Sequence, residues 1–101
     1  MARKSIIARQ KRREKCIKRY AERRKVLVAV VRNPASSMDE RRLATIKIEA
    51  MPRDASPIRS HNRCHLTGRA RGVYRKFGLA RSMLRKLAME GHIPGIVKAS
   101  W

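Results

Sequence analysis

The sequence predicts a mainly α, extended and non-globular protein, and three observations carry that expectation. Leu, Ile, Val and Phe total 21 of 101 residues, near the roughly 20% below which a highly charged chain tends not to fold alone. The 27 Lys and Arg against 7 Asp and Glu give a formal charge of +20, which would repel itself in a compact state unless a polyanion neutralised it. Helix signals then recur in three places. They predict helices over about 5–32 and 38–51, an extended linker over 52–62, and a basic, glycine-jointed loop leading into a short helix at about 80–90. The chain accordingly divides into a basic helical arm and hairpin (1–51), the linker (52–62) and a C-terminal loop, helix and tail (63–101).

The first helix rests on the absence of Gly and Pro between Met1 and Asn33, with Ser5 as its expected N-cap. Ile17, Tyr20, Leu27, Val28 and Val31 fall at helical spacing. The run Val26 to Val31 is β-branched enough to suit a strand as well. Residues 5 to about 15 have almost no apolar stripe, so they read as a cationic extension that orders against RNA. The bland alternative is a solvated tail.

Asn33 and Pro34 stop this element, because Pro disfavours helical geometry in the residue before it. Ser37 and Glu40 form an S-x-x-E capping box, and Asp39 with Glu40 puts negative charge at the positive end of the helix dipole. Leu43, Ile46 and Ala50 make one stripe with Ile48 and Met51 to its sides, and Pro52 closes the helix. Packing it against residues 17–31 as a hairpin uses both stripes. From Pro52 to Asn62, prolines and small polar residues read as a connection with no core of its own, lying along RNA or a neighbouring protein.

The stretch Asn62 to Leu87, NRCHLTGRARGVYRKFGLARSMLRKL, sets six Arg and two Lys on a frame of Gly68, Gly72 and Gly78, with no acid among them. Arg offers planar multi-donor contacts to phosphate, glycines allow close backbone approach, and rings stack on bases. Phe77 reads as core; Tyr74 divides between stacking and packing. Leu79, Met83, Leu84, Leu87 and Ala88 mark the last helix, which ends at Gly91 as C-cap, and Pro94 with Gly95 punctuates a turn. Trp101 closes a short apolar tail, placed to stack on a base or fill a protein pocket.

Charge varies along the chain. Residues 1–33 are net +11, residues 34–62 net +1 and residues 63–101 net +8. The neutral middle is a candidate protein-facing surface, or equally the chain's own core. Nucleic acid is the expected partner, and RNA is favoured because an irregular loop with exposed rings suits folded RNA, whereas duplex DNA is read by a helix or ribbon in its groove. The alternative is a nucleoid-type DNA-binding protein, which the charge supports but which lacks any groove-reading element. No membrane is expected as partner, since no apolar run approaches the roughly 18 residues of a span and residues 8–15 offer no apolar face. The Arg-rich start also imitates a mitochondrial transit peptide. Cys16 and Cys64 read as reduced thiols. Enzyme chemistry is excluded: Asp39 and Glu40 open a helix, Glu49, Asp54 and Glu90 stand apart, and little apolar material remains to wall a cleft. No cofactor and no small-molecule substrate are expected.

NRCHLTGRARGVYRKFGLARS resembles the signature segment of the small-subunit ribosomal protein family numbered fourteen, with MARKS, PRDASPIR and GHIPGIVKASW fitting along the length. The resemblance implies a structural constituent of the small subunit that binds 16S rRNA in the head, beside small-subunit proteins three, ten and nineteen, and supports assembly and the decoding (A-site) region. It implies localisation in the cytoplasmic ribosome; an organellar ribosome is the other setting, and the absence of a clear presequence favours a bacterial cytosol or synthesis inside an organelle. Within the signature, Arg63, Arg69, Arg71, Tyr74, Arg75, Lys76, Arg81 and Arg85 are expected at phosphates or bases. Arg3, Lys4, Arg9, Arg12 and Arg13 in the arm, Arg59 in the linker, and Lys98 and Trp101 in the tail join them. One branch of the family carries a zinc knuckle whose four ligand positions fall here on Cys64, Thr67, Ala80 and Met83. Three of the four lack a zinc-binding group. The resemblance therefore implies a knuckle-like loop without metal, packed by Phe77, Leu79 and Met83. Phosphate or solvent contacts are expected for His61, His65 and His92. The sequence departs from the family at Ala70, where Pro is frequent, which bears on the rigidity of the GRARG turn and not on its charge.

Overall fold

With no helix breaker before Asn33, the chain forms one long helix. Helix α1 runs Lys4–Arg32, helix α2 Met38–Glu49 and helix α3 Arg81–Met89. A two-stranded antiparallel ribbon, β1 (Val73–Tyr74) and β2 (Leu79–Ala80), precedes α3, with Val73 opposite Ala80 and Tyr74 opposite Leu79. The computed structural model describes residues 1–101, all in one mainly helical chain. It comprises two compact units, Ala8–Ser60 and a second that joins Met1–Ile7 to His61–Trp101. No helix is long and apolar enough to cross a membrane. No large side chain is fully buried; Gln10, Ala44 and Ala55 are buried in the first unit, and Cys64, Gly68 and Ala80 in the second.

In the unit Ala8–Ser60, Val26 to Val31 is helical, and the stripe Ile17, Tyr20, Leu27, Val28 and Val31 is half-buried as its spacing predicts. Tyr20 and Leu27 line one cleft with Lys47, Ala50, Met51 and Pro52. The Ser37–Glu40 box is complete: Glu40 N–H donates to Ser37 Oγ at 3.3 Å and Ser37 N–H to Glu40 Oε2 at 3.1 Å. The inward face of α2 differs from expectation. Leu43 and Ile46 are 58% and 60% exposed, while Ala44 is buried and Arg41, Ile48 and Met51 are half-buried. These four recur at helical spacing, one residue round from the apolar stripe. The small Ala44 side chain admits close packing, and Arg41 Nη2 donates to the Asn33 carbonyl at 2.8 Å, fixing that face toward the turn.

Two further corrections concern this unit. The first half of α1 is not without a partner: Gln10 is 5% exposed and donates to Ser60 Oγ at 3.3 Å and Glu14 Oε1 at 3.2 Å. Arg13 Nε lies 3.5 Å from Asp54 Oδ1, which also meets Arg59 Nη1 at 3.0 Å. The segment after Pro52 carries two short 3-10 turns, Arg53–Ala55 and Pro57–Arg59, and buries Ala55 to 1% exposure. It therefore has local packing that its prolines and polar residues did not announce. At the other end of α1, Ser5 is not the N-cap but lies in the first turn, and the Arg3 carbonyl accepts from Ile6 and Ile7 N–H.

Candidate nucleic-acid interface

The second unit is built round Cys64. After His61 and Asn62 the chain turns tightly: Gly68 N–H donates to the Cys64 carbonyl and Cys64 N–H to the Arg69 carbonyl, both at 2.9 Å. His65 N–H donates to the Gly78 carbonyl at 3.0 Å and so ties the turn to the β-ribbon. The ribbon closes over Arg75–Gly78, where Gly78 N–H donates to the Tyr74 carbonyl at 2.8 Å. Arg81 N–H then donates to the Gly72 carbonyl, which starts α3 directly from β2. Helix α3 ends as Gly91 predicts, with Gly91 N–H on the Ala88 carbonyl and His92 N–H on that of Leu87, the double bond of a Schellman motif.

Three of the four knuckle positions converge. Cys64 and Ala80 are buried, at 3% and 0% exposure. Burial raises a thiol's pKa, but hydrogen bonds outweigh it here: the Thr67 hydroxyl and the N–H groups of Ala80, Thr67 and Leu66 donate toward Sγ and bring Cys64 down to about 7. Met83, the fourth position, is half-buried on α3, as are Phe77 and Leu79. Lys76 Nζ stands 5.7 Å from the Phe77 ring centroid, covering the ring's outer face.

The N-terminal residues complete this unit, which sequence reasoning missed. Ala2 N–H donates to the Thr67 carbonyl at 3.1 Å. Ile7 sits so close to Gly68 (φ +73°) that a Cβ there would fall 2.9 Å from Ile7 Cδ1. Neither contact has a sequence signal, since each joins residues more than sixty positions apart. The consequence is that Arg3 and Lys4, both exposed, belong to the same unit as the knuckle arginines. This unit holds eleven Lys and Arg against Glu90 alone, and Glu90 Oε2 faces His92 Nε2 at 3.5 Å.

The predicted contact residues separate by what they already touch. Arg3, Lys4, Arg69, Arg71, Tyr74, Arg75, Lys76, Arg81, Arg85, Lys98 and Trp101 are exposed in this unit, and Arg9 and Arg12 are exposed in the other. Arg63 is half-buried, and its Nη1 donates to the Gly68 carbonyl at 2.9 Å, bracing the turn from within. Arg13 and Arg59 are held by Asp54.

Among known families, the one described as Ribosomal protein S14p/S29e has a model that matches residues 47–100. Over 101 residues the chain is 48% identical to the small ribosomal subunit protein uS14 of Alkalilimnicola ehrlichii, covering 100% of both proteins. The chain belongs to the S14p/S29e family. It is thus a ribosomal protein, a component of a ribonucleoprotein that works in translation. A zinc site at the four knuckle positions does not fit the donors present. Thr67, Ala80 and Met83 supply none of the thiolates or imidazoles a tetrahedral site needs, and no three His, Cys, Asp or Glu side chains converge anywhere in the chain. Hydrogen bonds to Sγ and apolar neighbours hold Cys64 instead.

Proposed function

We propose that this protein is a structural constituent of the small ribosomal subunit that binds 16S rRNA in the subunit head and stabilises the decoding region during assembly. The observation that carries this reading is the knuckle unit of an S14p/S29e protein with eleven cations and one acid, most of the cations exposed and free of carboxylate partners. Such a surface gains its affinity by replacing condensed counterions on phosphates. Arg69, Arg71, Arg75, Lys76, Arg81 and Arg85 take direct phosphate or base contacts, joined by Arg3 and Lys4 beside the knuckle and by Arg9, Arg12, Lys98 and Trp101. Arg13, Arg59 and Arg63 act mainly by holding the fold that presents the others.

The near-neutral α2 leaves Met38, Leu43 and Ile46 exposed, which suits protein neighbours in the head, expected to be small-subunit proteins three, ten and nineteen. The work is done in the cytoplasmic ribosome, or in an organellar one. Nothing in the fold supports the nucleoid alternative, which needs an element to enter a DNA groove. Sedimentation of a cell lysate tests the reading: the protein should travel with small ribosomal subunits and leave them on high-salt washing. Recovery in the chromosome fraction or free of particles would overturn it.

A further inference from the structure

One cleft in the knuckle unit lies between α3 and the tail. It is an open groove of about 400 Å³, with Leu84 and Ala88 of α3 and Ile96 of the tail among its lining and the ring of Tyr74, 51% exposed, beside them. Arg81, Arg85 and Lys98 also line it, no acidic residue does, and none of the three cations has a carboxylate partner. We propose that this cleft takes one unstacked nucleobase from a bulge or single-stranded turn of RNA, with Tyr74 against the base and Arg81, Arg85 and Lys98 on the flanking phosphates.

The argument is from shape and charge together. A phosphate backbone alone has no use for an apolar concavity of this size, while an apolar protein side chain alone would leave the three cations around it without a counter-charge. A nucleotide satisfies both, because its base has an apolar face for the floor and its phosphates are anionic. Pockets of this volume hold small organic groups, and a base within a duplex cannot enter one without leaving its stack. Arg81 and Arg85, four residues apart on α3, stand on one helical face and can follow successive phosphates. The inference rests on the RNA-binding reading above and narrows it to a local structure of the RNA.

The test uses the full chain and two RNA hairpins of equal length and charge, one with a bulged 2-aminopurine and one with the same base paired. The bulged hairpin should bind roughly tenfold more tightly, with its fluorescence altered on binding. Ala88→Leu, which fills the floor, should bring the ratio close to one while affinity for the paired hairpin changes little, and Tyr74→Ala should also bring the ratio close to one. Should Tyr74→Ala disturb the β-ribbon by circular dichroism, Ala88→Leu decides alone. Equal binding of both hairpins by the wild-type chain would overturn the cleft assignment and leave RNA binding intact. Failure to bind either at low salt would overturn both. A photo-crosslinker at Val97 in assembled subunits should join RNA; attachment to a protein neighbour would assign the cleft to that protein and refute the proposal.

Discussion

Cys64 supplies the one thiol among the four knuckle positions, and its surroundings favour the thiolate. Its folded pKa of about 7 lies below that of a free thiol, so the folded state releases the proton more readily than the unfolded chain. The resulting stabilisation is full above the ordinary thiol range and is lost as pH falls through about 7. Chemical denaturation of the wild type and Cys64→Ala should therefore show a stability gap that widens from about pH 6 to about pH 9; a gap constant over that range would mean that the four donors do not act on a thiolate. The sequence reading placed Cys64 and Thr67 at a knuckle but could not see most of the sulfur's donors, because three of the four are backbone N–H groups with no residue signature. It likewise could not separate Arg63, braced on a carbonyl, from Arg71, which is exposed: a composition counts charges and not their partners.

Within single elements, local rules were legible and packing faces were not. The Ser37–Glu40 box and the Gly91 stop depend on neighbours three or four residues away, so the sequence carries them in full. Ser37→Ala should cost about 1 kcal/mol in thermal or chemical unfolding. The face of α2 depends on what lies opposite, and there Ala44 is buried while the more apolar Leu43 and Ile46 are exposed. The turn at Gly78 (φ +65°) is a sharper case. An added Cβ would run into the His65 ring, so Gly78→Ala combines the left-handed backbone penalty of about 1–2 kcal/mol with displacement of that ring. Gly91→Ala has a similar φ of +77° and nothing within 4 Å of the added carbon, so it should lose only the backbone part. Equal destabilisation of the two variants would show that the His65 ring moves aside freely.

For the molecule as a whole, the charge of +20 sets both the cost of folding alone and the affinity for a polyanion. Its buried side chains are small and provide little apolar burial against that repulsion, so a polyanion that binds the folded state would stabilise it through linkage. The two roles of arginine are separable by ionic strength. An arginine at a phosphate releases counterions on binding, and its loss lowers the slope of log K against log salt by roughly 0.7–0.9. An arginine that braces the loop alters affinity by disordering the site and leaves the slope nearly unchanged. Arg71→Ala and Arg75→Ala should each lower the slope by about that amount in filter-binding titrations with a head fragment of the 16S rRNA. Arg63→Ala should weaken binding at every salt concentration with little change of slope, since its guanidinium donates to the Gly68 carbonyl. A slope loss in Arg63→Ala equal to that in Arg71→Ala would put its guanidinium on phosphate and remove its bracing role. An unchanged slope in Arg71→Ala would instead take that residue out of the interface.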